Sequence, residues 1–271
     1  MKLSKRLELV ASFVPRGSRV ADIGTDHGYI PIYLTEEGIC AGAVAADVRE
    51  GPLCRAREHI RERGLESRIQ VRLSDGLKEI RPDEADTVVI AGMGGQLVIH
   101  ILEDGRHMWD TVKTWILSPQ SELDKVRRYL EEQGFFISRE AMTLDEGKYY
   151  TVMEVRREDE DSEDCRKCGA PRNGGAPRNG EAPRNGEVPR NGEVPRNGEA
   201  PWGYEKPWEY LYGKLLIAEK NPVLLDFLCQ EEGRLKGILK ALEAQDTPGA
   251  RTARETALEQ LTWIKEAKDA M

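Results

Sequence analysis

The chain is poor in cysteine, in aromatic side chains and in long apolar runs, and it has no excess of positive charge. Its five cysteines in 271 residues, odd in number and without regular spacing, cannot form a disulfide framework and point to a reducing cytosol. Cys165 and Cys168 have half the spacing of a zinc ribbon, but no second Cys or His pair follows, so a four-ligand metal site is not expected. No stretch approaches the roughly 20 apolar residues that span a bilayer, and the amino-terminal residues lack the apolar core of a secretion signal. A formal net charge of −8 excludes a uniformly basic surface. Local basic patches remain open. Lys2, Lys5 and Arg6 cluster near the start, and Arg49, Arg55, Arg57, Arg61 and Arg63 alternate with Glu50, Glu58 and Glu62. The second set fits a solvated helix face as well as a polyanion-binding one. The expectation is a cytoplasmic monomer that needs no metal and no membrane.

What is present is a strand-turn-helix signature. Residues 21–31 read Ala-Asp-Ile-Gly-Thr-Asp-His-Gly-Tyr-Ile-Pro after an apolar approach ending in Val20, and Asp47, with Val48 beside it, ends the next apolar run. A strand ending near Asp22, a turn opened by Gly24 and Gly28, and an acid closing the second strand build a nucleotide-ribose pocket at the carboxyl ends of parallel strands. Side chains at those glycines would hold a ligand away from the backbone. Dinucleotide enzymes space their glycines differently, and here Asp26 and His27 lie inside the loop. Asp26 would repel a pyrophosphate. It tolerates a cofactor with a cationic ammonium and sulfonium, as S-adenosyl-L-methionine has. The plain alternative is a strand-turn-helix with fortuitous acids.

Strand and helix patterns alternate through residues 20–23, 43–47, 69–73, 87–91 and 115–117, preceded by a lead-in helix over 3–14. This predicts a parallel sheet with helices on both faces. Residues 135–139 and 149–155 read as two closing strands joined by 143–148, so the fold class is α/β, a Rossmann-like seven-stranded methyltransferase sheet. After an acidic stretch the chain repeats Ala-Pro-Arg-Asn-Gly-type units every six residues from Gly169. Proline in every unit and the lack of apolar side chains predict a disordered linker over 158–201. Residues 222–244 and 250–270 carry leucines and alanines at helical spacing on either side of a Pro-Gly breaker, so 202–271 is expected to be a coiled-coil-like helical hairpin after a methyltransferase domain over 1–157.

The fourth strand delivers Ala91, Gly92, Met93, Gly94 and Gly95 to the sheet edge where ligands bind. The glycines let backbone groups approach a planar base held against a methyl donor, and Met93 adds a soft apolar contact. Tight helix packing would also require glycines there. Asp75 and Gly76 follow the third strand. There a carboxylate can accept from a cofactor adenine amine, as Asp47 can from ribose hydroxyls. Asp-Gly is equally a common turn pair.

With residues 21–31, Asp47, Ser74 to Leu77 and Ile90 to Gly95, opened by Lys2 to Leu7 and followed by a helical hairpin, the chain resembles the bacterial tRNA (adenine(22)-N(1))-methyltransferase family. The resemblance covers residues 1–157 and, through the less specific hairpin, 202–271; the inserted repeat departs from it. It implies class I transfer of a methyl group from S-adenosyl-L-methionine to nitrogen 1 of adenine 22 in the D-arm region of tRNA, giving 1-methyladenosine. Asp22, Gly24, His27, Gly28, Asp47, Val48, Asp75, Gly76, Ala91, Gly92 and Met93 are then the cofactor-binding candidates. Asp26, His27 and Tyr29 are the candidates for stabilising charge, accepting a proton and stacking on the base. His27 and Tyr29 fit a structural loop and core packing equally well. Met93, Gly94 and Gly95, with Lys5 and Arg6, are the substrate-binding candidates. The rivals are the same chemistry on another RNA or a small molecule, and a cofactor- or RNA-binding module without turnover.

Overall fold

A computed structural model describes residues 1–157, 203–243 and 247–271. The acidic stretch, the repeat with Cys165 and Cys168, and residues 244–246 of the breaker lie outside the described residues. Met1–Arg157 together with Tyr204–Met271 form one compact unit.

Seven strands make one sheet: β1 (Ser18–Ile23), β2 (Cys40–Asp47), β3 (Ile69–Leu73), β4 (Thr87–Ala91), β5 (Thr114–Ser118), β6 (Phe135–Asp145) and β7 (Lys148–Arg157). Their order is β3-β2-β1-β4-β5-β7-β6. The first five are parallel, and β7 enters antiparallel between β5 and β6. The order reverses between β1 and β4, which opens a crevice at their carboxyl ends. Successive side chains of a strand face opposite ways. Ala21, Ile90 and Leu117 therefore join one buried cluster, and Val20, Val89 and Ile116 the other. Burial on both faces explains why these strands read as unbroken apolar runs rather than alternating ones.

Helix α1 (Lys5–Ser12) begins where the Ser4 hydroxyl accepts from the Leu7 amide at 3.4 Å. It is shorter than the predicted 3–14, although Leu3, Val10, Ala11 and Val14 are buried as its spacing required, and Phe13 with them. Helices α2 (Tyr29–Glu36), α3 (Glu50–Glu62), α4 (Gly95–Asp104) and α5 (Leu123–Glu132) connect the strands. On α3 Arg57 pairs with Glu50 at 2.6 Å, and just past its end Arg63 pairs with Glu36 at 2.6 Å, as a solvated face would.

The closing hairpin differs from the sequence reading. The expected connection over 143–148 is mostly strand, and the turn consists of Glu146 (φ 48°) and Gly147 (φ 77°) alone. Two consecutive positive φ values match the twist of a two-residue hairpin turn. A register shift between Ile137 and Arg139 broke the alternation that would have shown β6 continuing.

Two short helices, α6 (Pro207–Tyr212) and α7 (Lys214–Ala218), were also not anticipated; neither is long enough to display a period. They precede α8 (Pro222–Leu242) and α9 (Pro248–Ala270). Asn221 caps α8 by accepting from Val223 and Leu224, and Thr247 caps α9 by accepting from Ala250. Leu224, Leu228 and Leu235 of α8 pack with Ala257, Ile264 and Ala267 of α9. Trp208, Leu216 and Ile217 complete the cluster, with Met142 of β6 against it. The pair therefore also covers part of the sheet. Among the described residues no helix is long and apolar enough to cross a membrane, and no group of three or more His, Cys, Asp or Glu is placed to hold a metal ion.

Candidate active site

The carboxyl ends of β1, β2 and β4 enclose a cavity of about 550 Å³. Backbone hydrogen bonds join the loops around it. Gly24 and Thr25 donate to the Ala46 carbonyl, Ser74 donates to Asp47, Gly92 donates to Ser118, and Gln120 donates to Met93 at 2.8 Å. The rim is thus held by the main chain before any side chain contributes.

Asp22 and Asp47 lie in the wall, both buried. Burial pushes the Asp22 carboxyl up from its ordinary 3.8 to about 7, with Thr25 opposing the rise and the Asp47 charge adding to it. Asp47 accepts from the Arg49 amide at 2.8 Å, with the Arg49 guanidinium 3.7 Å away. Gly24 has φ 77°, and a Cβ there would lie 2.0 Å from the Met93 methyl carbon. A side chain at residue 24 would meet both an unfavourable backbone and an occupied space.

Arg6, Gly24, Asp26, Tyr29, Val48, Asp75, Gly76, Ala91, Gly92 and Met93 also line the cavity. Asp75 is ion-paired to Lys78 at 2.6 Å, which lowers its pKa. The Ser74 hydroxyl donates to the Gly76 carbonyl, giving this segment the form of a turn.

Lys5, His27, Gly28, Gly94 and Gly95 are not in the cavity wall. His27 has φ 58°, and its carbonyl oxygen lies 2.9 Å from His59 Nδ1. Its ring Nδ1 is 3.1 Å from Asp26, and Tyr29 stacks on His59 with centroids 5.8 Å apart. A Cβ on Gly28 would lie 3.3 Å from Ala56 of α3, and one on Gly95 would lie 2.6 Å from the Ser121 carbonyl. These two glycines serve close packing. Thr25, Arg49 and Ser74, noted in the sequence but not as site residues, and Leu97, Ile101 and Gln120, not noted at all, also line the cavity. For Gln120 the available signal was its place just past β5, the strand beside β4.

Strand order and pocket together define a class I S-adenosylmethionine-dependent methyltransferase. The Methyltransferase domain family matches residues 3–153. The Bacillus subtilis tRNA (adenine(22)-N(1))-methyltransferase is 38% identical over 162 residues, 60% of this chain and 68% of the relative. The crystal structure of the B. subtilis m1A22 tRNA methyltransferase TrmK superposes with a TM-score of 0.73 at 30% identity, covering 98% of this chain and 99% of that one. Streptococcus pneumoniae Sp1610 in complex with S-adenosyl-L-methionine gives 0.74 at 29% identity, covering 98% and 100%. The chain belongs to the tRNA (adenine(22)-N(1))-methyltransferase family.

Proposed function

We propose that this chain transfers the methyl group of S-adenosyl-L-methionine to nitrogen 1 of adenine 22 in tRNA, giving 1-methyladenosine. The observation that carries the reading is the cavity at the β1/β4 switch point with two buried carboxylates, Asp22 and Asp47, in its wall. Those groups suit the cofactor: carboxylates to accept from an ammonium group and ribose hydroxyls, and a side-chain-free approach at Gly24. Asp47 would accept from the ribose and Asp22 would face the ammonium, while Asp75 and Gly76 would border the adenine. Met93 would supply a soft apolar contact beside the two reactants.

When bound, the cofactor supplies a methyl group on a sulfonium for in-line displacement. Adenine nitrogen 1 already has an in-plane lone pair, so the residues contribute mainly alignment and exclusion of water. The product base is cationic, and Asp26 at the cavity edge would balance that charge. Because the target nitrogen is on the Watson–Crick edge, the nucleotide must be extruded or captured unpaired. Lys5 and Arg6 would then meet its phosphates, and the carboxyl-terminal helices would hold the rest of the RNA. The reading includes action as a monomer in the cytoplasm.

Incubation with labelled methyl donor and total bacterial tRNA, followed by nucleoside analysis, tests it. Label in 1-methyladenosine at position 22 is expected. Label elsewhere would favour another substrate, and binding without transfer would leave a non-catalytic module.

A further inference from the structure

Methylation at nitrogen 1 constrains how the base can be recognised. That edge must face the methyl donor, so adenine has to be identified through N6 and N7 on its other polar edge. A primary amide is the side chain that complements this pair, accepting from the N6 amine and donating to N7. Among the described residues lining the cavity, Gln120 is the one such amide.

Its placement suits the task. The Gln120 backbone is pinned by the bond to the Met93 carbonyl, while its side chain is exposed and makes no hydrogen bond to a described residue. The amide nitrogen lies 3.7 Å from where a Cβ on Gly92 would be, and Arg6 Nη1 lies 3.0 Å from the same point. Gly92, at φ 83°, thus leaves an opening flanked by an amide and a guanidinium at the end of β4.

We propose that Gln120 determines base specificity by reading N6 and N7 of the target adenine. The inference rests on the methyltransferase reading above. Guanine presents two acceptors on this edge, so the same amide would satisfy only half of it.

The test compares kcat/KM for the wild-type chain, Gln120→Ala and Gln120→Glu on tRNA carrying adenosine or 7-deazaadenosine at position 22. Wild type should lose up to about tenfold on the 7-deaza substrate, roughly half the value of a bidentate base contact because the N6 bond is kept. Gln120→Ala should lose at least that factor on adenosine and little more on 7-deazaadenosine, with cofactor affinity and thermal stability unchanged. Gln120→Glu, which cannot donate to N7, should likewise be insensitive to the deaza change. Variants as active as wild type, or as sensitive to the missing N7, overturn the assignment. Failure of the wild-type chain to methylate adenosine 22 would overturn the underlying reading and the inference with it, and that result appears without any variant.

Discussion

Arg127 of α5 and Glu140 of β6 form a buried ion pair in which Arg127 Nε and Nη2 donate to one carboxylate oxygen at 3.0 and 2.9 Å. The remaining guanidinium nitrogen donates to the main-chain carbonyls of Tyr210 and Leu211 in α6. One side chain therefore ties the last part of the sheet to the carboxyl-terminal helices. Gly213 closes over the pair: with φ 95° it admits no side chain easily, and a Cβ would lie 2.6 Å from Glu140 Oε2.

Removing one partner should cost more than removing both. Arg127→Met leaves a carboxylate buried without its cation, and a loss of about 3–5 kcal/mol is expected in chemical denaturation. Arg127→Met combined with Glu140→Leu should recover much of it. Equal losses in the single and double variants would refute the account.

Asp22 makes both stability and binding depend on pH. Its folded pKa is raised from 3.8 to about 7, so the folded state holds a proton that the unfolded state has released. The stabilisation is complete below pH 4 and is lost as pH rises through about 7. Asp22→Asn should flatten that part of the stability profile and raise the melting temperature of the ligand-free protein at pH 8.

The cofactor's ammonium requires the opposite protonation state. S-adenosyl-L-methionine affinity should strengthen as pH rises toward 8 and weaken by up to tenfold per unit below 7. Calorimetry in buffers of different ionisation enthalpy should detect proton release at pH 6. A flat affinity profile would take Asp22 out of ammonium binding.

Asp47→Ala should weaken the cofactor by about 1–3 kcal/mol, because ribose hydroxyls would lose an acceptor in a buried wall. Unchanged affinity in a folded variant would show that Asp47 only organises the Arg49 turn.

Arg6→Ala should lower tRNA affinity and reduce the slope of log affinity against log salt by about one, as for loss of one phosphate contact. Its guanidinium lies over the Tyr150 ring at 5.2 Å. A variant with lower affinity but the wild-type slope would assign Arg6 to packing instead.

The sequence disclosed those parts of the cavity that arise from consecutive residues. Asp22, Gly24 and Asp26 share one turn, and Ala91, Gly92 and Met93 another, each directly after a buried strand, so spacing alone brought them to the rim. Gln120 belongs to a loop with no glycine signature, and only the parallel register of β4 and β5 puts it beside Gly92. His27 was legible as a loop residue, but no pattern could show its carbonyl turned toward His59. In the fold, apolar runs located the strands and helical periodicity located both long helices. It missed α6 and α7, whose place depends on aromatic packing and on contacts with α5 and β6.

The bond from the Arg6 amide to Asp145, 3.0 Å long, joins residues 139 positions apart in the chain. A ribosome delivers α1 long before the β6–β7 turn, so while the parallel strands emerge the amino-terminal helix can pack on α2 and β1 but not yet on the hairpin. The wall that carries Arg6 therefore gains its tie to Asp145 only after every parallel strand has been made, and a nascent chain halted before Asp145 would have the cofactor's strands but a less firmly held side where, on the proposed function, the RNA base would enter.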